Sequence, residues 1–200
     1  MLPNSRKATP APKVPKDKYA KVTPKIPKSV LISIISVFVV IIAIIILTTP
    51  SNEGAIYTSY KDNANADFTE NHPFYQVNYN DRLFRRGLET IIEEEEVVII
   101  FIGFATCPAC QQHIGAFERY FYSEGMDQYT DTFYYHNIVA DQTGFEAFGL
   151  AHAQVSGSVP QLLVFKNGVF VNAFSPSTTG QTINASVRDF FRAVKTQLDA

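Results

Sequence analysis

The chain contains no tryptophan, only two methionines and only two cysteines. Each shortage excludes something. Two cysteines cannot build the disulfide framework of a small secreted domain, and they leave no spare bridge beside the one pair they can form. They also supply only half of a zinc site, which would need two further ligands. The histidines that could complete one, His72, His113, His136 and His152, are scattered singly. No segment repeats.

What is present is concentrated at one place. The two cysteines stand three apart in Cys107-Pro108-Ala109-Cys110. Upstream, Val97 to Gly103 is a continuous apolar run that reads as a buried strand. Downstream, Ile114, Phe117 and Phe121 recur at helical spacing. The pair therefore falls at a strand-to-helix junction, in the first turn of a helix. Unpaired N–H groups and the positive dipole end of a helix stabilise a thiolate there. A second thiol one turn later can resolve a mixed disulfide. Pro108 suits that first turn, where its missing N–H would be an orphan anyway. Half a zinc site and a structural disulfide are the competing readings. The first lacks ligands, and the second closes too short a loop to constrain the unfolded chain much. Thiol–disulfide exchange fits the residues best.

The net charge of −2 hides an asymmetry. Residues 1–28 hold eight basic residues and one acid, Asp17, leaving nine basic and 18 acidic residues over 29–200, a net of −9. A basic, proline-rich tail could bind nucleic acid, but the segment after it argues otherwise. Ser29 to Leu47 is a run of 19 residues without a charge. As a helix it spans about 28 Å, close to the hydrocarbon thickness of a bilayer. The lysines before it place residues 1–28 in the cytoplasm and the rest outside. A cleavable signal peptide would have a shorter apolar core and an Ala-x-Ala site, which does not follow Leu47. No cysteine follows the run to carry a lipid. The expectation is a single-pass cell-membrane protein with an uncleaved signal anchor, in a compartment where disulfides persist.

Along the chain, 1–28 reads as a basic cytoplasmic tail, 29–47 as the transmembrane anchor, 48–72 as a flexible linker and 73–200 as the folded domain. The linker is polar and aperiodic, with an end-to-end distance of about 25 Å. Tyr75, Val77 and Tyr79 alternate as a short strand. Asp81 is a candidate helix N-cap, followed by a stripe of Phe84, Leu88, Ile91 and Ile92. Glu93 to Glu96 close that helix against its dipole. After the 97–103 strand, the helix of the cysteine pair runs to about Glu124, with Gly125 ending it. A strand over 133–140 and a short helix through Phe145, Phe148 and Ala151 follow, with His152 as a surface residue. Gln161 to Phe165 is a strand, Asn167-Gly168 a hairpin signal and Val169 to Val171 the returning strand. Ile183, Val187, Phe190, Phe191, Val194 and Leu198 give the most regular helix. The order β-α-β-α-β-α-β-β-α implies an α/β domain with a mixed central sheet and helices on both faces.

At this point the sequence resembles the thioredoxin family. Three features carry the likeness: Cys107-Pro108-Ala109-Cys110 between strand and helix; Val159-Pro160-Gln161-Leu162-Leu163-Val164-Phe165-Lys166-Asn167-Gly168, similar to the family's proline-strand-hairpin signature; and the C-terminal amphipathic helix. The resemblance covers residues 73–200. It implies a thioredoxin-like fold, a cis bond before Pro160, and Val159 offering backbone to an extended substrate. Two departures stand out. The family's tryptophan before the first cysteine is Thr106 here, and the buried acid that helps deprotonate the resolving cysteine falls at Phe101. The layout of basic tail, span and domain is similar to membrane-anchored thioredoxin-like proteins of Gram-positive bacteria and to bacteriocin transport accessory proteins.

These likenesses imply a thiol–disulfide oxidoreductase with Cys107 attacking, Cys110 resolving, and Val159 and Pro160 holding substrate. It would need no bound cofactor and no metal. Its partners would be exported proteins with thiols or disulfides, the membrane, and a membrane redox partner. The alternative is a non-catalytic accessory module for protein or bacteriocin secretion. A metallochaperone using Cys107, Cys110 and His113 is the third reading.

Overall fold

The computed structural model describes residues 27–48, 51–65, 67–176 and 180–200. They fall into two compact units, Met1–Thr48 and Thr49–Ala200. The basic tail expected over 1–28 lies outside the described residues except for Pro27 and Lys28.

In the first unit α1 spans Lys28–Thr48. Its 21 residues rise about 31 Å, long and apolar enough to cross a bilayer. Two of its serines turn onto its own backbone: Ser33 Oγ donates to Ser29 O and Ser36 Oγ to Ser33 O. Every side chain described on it is exposed, Phe38 at 61%.

The second unit is built on five strands in the order β1-β3-β2-β4-β5. These are β1 (Phe74–Gln76), β2 (Val97–Gly103), β3 (Phe133–Asn137), β4 (Gln161–Lys166) and β5 (Val169–Phe174). β1, β3 and β2 run parallel; β4 runs antiparallel to β2, and β5 antiparallel to β4. A central strand flanked by helices on both sides needs apolar residues at every position rather than alternate ones. That is why β2 is uninterrupted in apolar character and buried throughout. Asn167 and Gly168 take φ of 50° and 77°, the pair of positive values that a tight hairpin turn needs.

Helices cover both faces. Residues of α2 (Asn52–Tyr60), α4 (Pro108–Ser123) and α6 (Ile183–Leu198) share one apolar core with Val97, Ile99 and Phe101 of β2. Residues of α3 (Leu88–Glu94) and α5 (Gln142–Ala151) share the other with Val98, Ile100 and Ile102. This is the thioredoxin-like mixed sheet that the resemblance implies, with one apolar helix before it.

Two segments differ from expectation. Residues 52–65 and 67–72, within the stretch read as a flexible linker, are part of the domain. Ser51 caps α2 by accepting from Gly54 N–H. Ile56 and Tyr60, one turn apart, are 2% and 0% exposed. The segment then lies along α4, where Gly115 makes room: a Cβ there would stand 1.9 Å from Asn65 Oδ1 and 2.9 Å from Phe68 N. Thr69 completes the contact, its N–H and Oγ1 both donating to the Glu118 carboxylate. One apolar pair in a polar stretch is too little periodicity to read as a helix; the docking surface supplies the rest. The domain therefore begins about twenty residues before 73.

The second difference is at 81–87. The helix expected from Asp81 starts only at Leu88, with Gly87 as its N-cap. Asp81 acts from outside it, accepting from Gly87 N–H at 2.5 Å and Thr90 Oγ1 at 2.9 Å. Phe84 is not on the buried stripe: it is 95% exposed, with φ of 64°. Two of the acids at the end of α3 have partners. Arg86 pairs with Glu94 at 3.1 Å and Glu95 at 2.7 Å, and Tyr134 Oη donates to Glu95.

Candidate functional site

Cys107 is the N-cap of α4 and Pro108 its first helical residue. The chain reaches it through a turn in which Cys107 N–H donates to Phe104 O. At an N-cap the side chain faces the free N–H groups of the first turn. Here Cys107 Sγ accepts from Cys110 N–H at 3.2 Å. Both cysteines are free thiols.

The two thiols differ in environment. Cys107 lies between exposed Thr106 and Pro108 and keeps 5% of its own surface open, while Cys110 has none. Burial pushes the Cys110 thiol well above the ordinary thiol range, and its hydrogen bond with Cys107 adds to the shift. Cys110 Sγ sits over the end of β2, where it would be 3.0 Å from a Cβ on Gly103. Only glycine leaves space for that sulfur.

The Val159–Pro160 bond is cis, as the resemblance implies. Pro160 is buried, and half-buried Val159 packs against the core cluster that contains both cysteines. The following residue, Gln161, starts β4 opposite Ile102 of β2. Pairing of β4 with β2 thus carries Val159 and Pro160 to the end of the sheet from which the cysteine loop leaves.

Phe101, where the resemblance looks for an acid, is fully buried. Its ring stacks on Tyr135 at 5.2 Å and meets Phe117 edge-on at 5.6 Å. Residues that sequence reasoning missed lie beyond it. Tyr60 of α2 and Tyr135 of β3 bring their hydroxyls to 3.2 Å of each other inside the core that holds the cysteines. Burial pushes both phenols far above their ordinary value, and charge on either cysteine would push them further. Both are therefore neutral hydrogen-bonding groups, unable to serve as the missing carboxylate does. The only sequence signal for Tyr60 was its spacing of four from Ile56.

His113 is buried on α4 with Nδ1 donating to Ala109 O at 2.7 Å, its ring beside Phe117 and Phe174. Burial lowers its proton affinity. Among the described residues no three His, Cys, Asp or Glu side chains cluster closely enough to hold a metal ion. His152 ends α5, with Nε2 at 3.0 Å from Glu89.

No family model matches the chain, and no curated protein is similar to it. Among solved structures it is similar to a thioredoxin from Malassezia sympodialis, at 16% identity over 63% of this chain and 94% of that one, with a TM-score of 0.44. It is also similar to thioredoxin f from spinach chloroplast, at 13% identity over 65% and 98% of the two chains, with a TM-score of 0.43. A variant thioredoxin from Halobacterium salinarum NRC-1 gives 20% identity over 62% and 94%, with a TM-score of 0.36.

Proposed function

We propose that the chain is a membrane-anchored thiol–disulfide oxidoreductase that works outside the cytoplasm on exported proteins. The observation that carries this reading is the placement of Cys107. Its sulfur caps α4 and accepts the Cys110 N–H, and the residue keeps 5% of its surface exposed, while Cys110 waits fully buried one turn behind.

The exchange follows from that order. The Cys107 thiolate attacks one sulfur of a substrate disulfide, forming a Cys107–substrate disulfide and expelling the other substrate sulfur as a thiolate that takes up a proton. Cys110 then loses its proton and attacks Cys107 Sγ. The second substrate thiol leaves, two electrons have passed to substrate, and Cys107–Cys110 is the new disulfide. Run backwards, the same steps oxidise a dithiol. Val159 packs against the core that holds the pair; in this reading a substrate strand pairs with the Val159 backbone beside the cis Pro160. The anchor reading is supported by the apolar α1 and by the excess of basic residues before it.

The accessory-module reading is favoured by Phe101, since no buried acid is present at that position to deprotonate Cys110. One experiment separates the two. In intact cells, Cys110→Ser should trap exported proteins as mixed disulfides through Cys107, and external protease should digest the trapped species. Cys107→Ser should trap none. If neither variant traps a partner in an oxidising host, the binding module is the better description; trapped species protected from protease would remove the extracytoplasmic placement.

A further inference from the structure

Arg82, Leu83, Phe84 and Arg85 form a four-residue turn beside the edge strand β1. Arg82 N–H donates to Arg85 O and Arg85 N–H to Arg82 O, both at 2.9 Å. The tip is apolar and fully outside: Leu83 is 83% exposed and Phe84 95%. Phe84 also takes φ of 64°, a region that favours glycine over a bulky side chain. Its ring gains no burial within the domain in return, so folding of the chain gives no account of a phenylalanine there.

The flanks are cationic. Three of the nine basic residues after position 28 stand in this one stretch, Arg82, Arg85 and Arg86. Arg86 is engaged by Glu94 and Glu95. Arg82 and Arg85 have no ion pair among the described residues. With Phe84 and Gln76 they line a cavity of about 330 Å³. Gln76 links this patch to the point where the chain enters the domain: Asn52 Nδ2 donates to Gln76 O at 2.9 Å, and Asn52 Oδ1 accepts from Gln76 N–H at 2.6 Å. In the sequence only Thr49, Pro50 and Ser51 separate α1 from α2.

We propose that the Arg82–Arg85 turn is a membrane-docking loop, in which Leu83 and Phe84 enter the interfacial layer of the bilayer and Arg82 and Arg85 bind the phosphates of anionic lipids. The inference rests on the reading of α1 as a membrane anchor. Interfacial binding needs an apolar wedge with cations beside it, which is what the turn presents. The remainder of the chain after residue 28 is strongly acidic, so this is where an anionic surface would be met favourably. A protein partner is the weaker match, because specific interfaces bury at least ~1,000 Å² and two isolated side chains fall far short.

The absence of tryptophan makes the test direct. Phe84→Trp and, separately, Phe38→Trp in α1 each give the full chain a single tryptophan, excited at wavelengths its ten tyrosines do not absorb. Each variant is placed in nanodiscs of phosphatidylcholine and phosphatidylglycerol, with and without brominated acyl chains. Docking predicts blue-shifted emission from position 84 and at least ~2-fold quenching by the brominated lipid. Adding Arg82→Gln or Arg85→Gln should each shift the docked-to-undocked ratio ~5-fold toward undocked. Quenching at 38 without quenching at 84 overturns the docking loop and leaves the anchor standing. A blue shift at 84 without lipid quenching also overturns it, since a protein then covers the tip. If position 38 is not quenched the anchor reading fails. Vesicles of the same lipids added to Phe84→Trp then decide the loop alone, quenching retaining it and none overturning it.

Discussion

On the sheet face covered by α2, α4 and α6, the buried polar side chains are joined across long stretches of sequence. Tyr60 meets Tyr135, 75 residues away, and Thr69 meets Glu118, 49 away. On the face covered by α3 and α5, fully buried His136 donates Nδ1–H to Val77 O at 3.3 Å. Its Nε2 is the one buried side-chain nitrogen or oxygen among the described residues without a hydrogen-bond partner. The cysteines belong to the first face. The site face is complete only when the segment before β1 has docked, whereas the far face, joined over similar sequence distances, leaves one ring nitrogen unpaired.

The comparison is broken most severely by removing the docked segment. A chain that begins at residue 73 loses Ile56, Tyr60 and Phe68, all 7% exposed or less. Burying each contributes about 1.5–3 kcal/mol, together comparable to the ~5–15 kcal/mol that holds a domain folded. We expect that chain to be unfolded or aggregated by circular dichroism, and one beginning at Thr49 to melt cooperatively. Equal melting of the two would mean that the site face does not depend on α2.

A smaller effect sharpens the comparison at one hydrogen bond. Tyr60→Phe leaves the Tyr135 hydroxyl buried and alone, at a cost of about 1–3 kcal/mol in urea unfolding. Adding Tyr135→Phe removes the stranded group, so the double variant should cost less than the sum of the singles. Additive losses would show that the two hydroxyls are independent.

The smallest effect belongs to the far face and is seen only with pH. Burial holds His136 below the ordinary imidazole value, against weaker opposing pulls from the Val77 carbonyl and Asp141. A depressed folded value means the neutral ring contributes stability that is present above about pH 6.5, the unfolded value, and lost as pH falls through the folded one. His72 and His113 are lowered by burial in the same way. Urea midpoints should therefore drop on acidification from about pH 7.5 to 5. In His136→Phe the drop should be shallower while the neutral-pH midpoint changes little. An unchanged slope would assign the pH dependence to the other two rings.

Much of this molecule was legible from local pattern. The apolar run of β2, the helical spacing after Cys110, the Asn167-Gly168 turn and the α6 stripe each report a preference that a few neighbouring residues settle by themselves. The C-x-x-C at a strand-to-helix junction placed the pair in the first turn of a helix for the same reason. Charge and hydropathy sufficed for α1, because an uncharged run of that length is a property of composition alone.

Tertiary structure decided what depends on distant partners. Local periodicity placed Phe84 on the α3 stripe, but Asp81 bonds to Gly87 and Thr90 from outside the helix and the turn carries Phe84 into solvent. Polarity made 52–72 read as a linker, yet the missing Cβ of Gly115 and the Glu118 carboxylate hold it on α4. The tyrosine pair and the full burial of Cys110 depend on that docking surface and on the pairing of β2 with its neighbours. A window of sequence records which residues prefer a helix or a strand. It does not record which remote backbone will pass within contact distance, and on this chain that is what separates an exposed aromatic at position 84 from buried ones at 60 and 135.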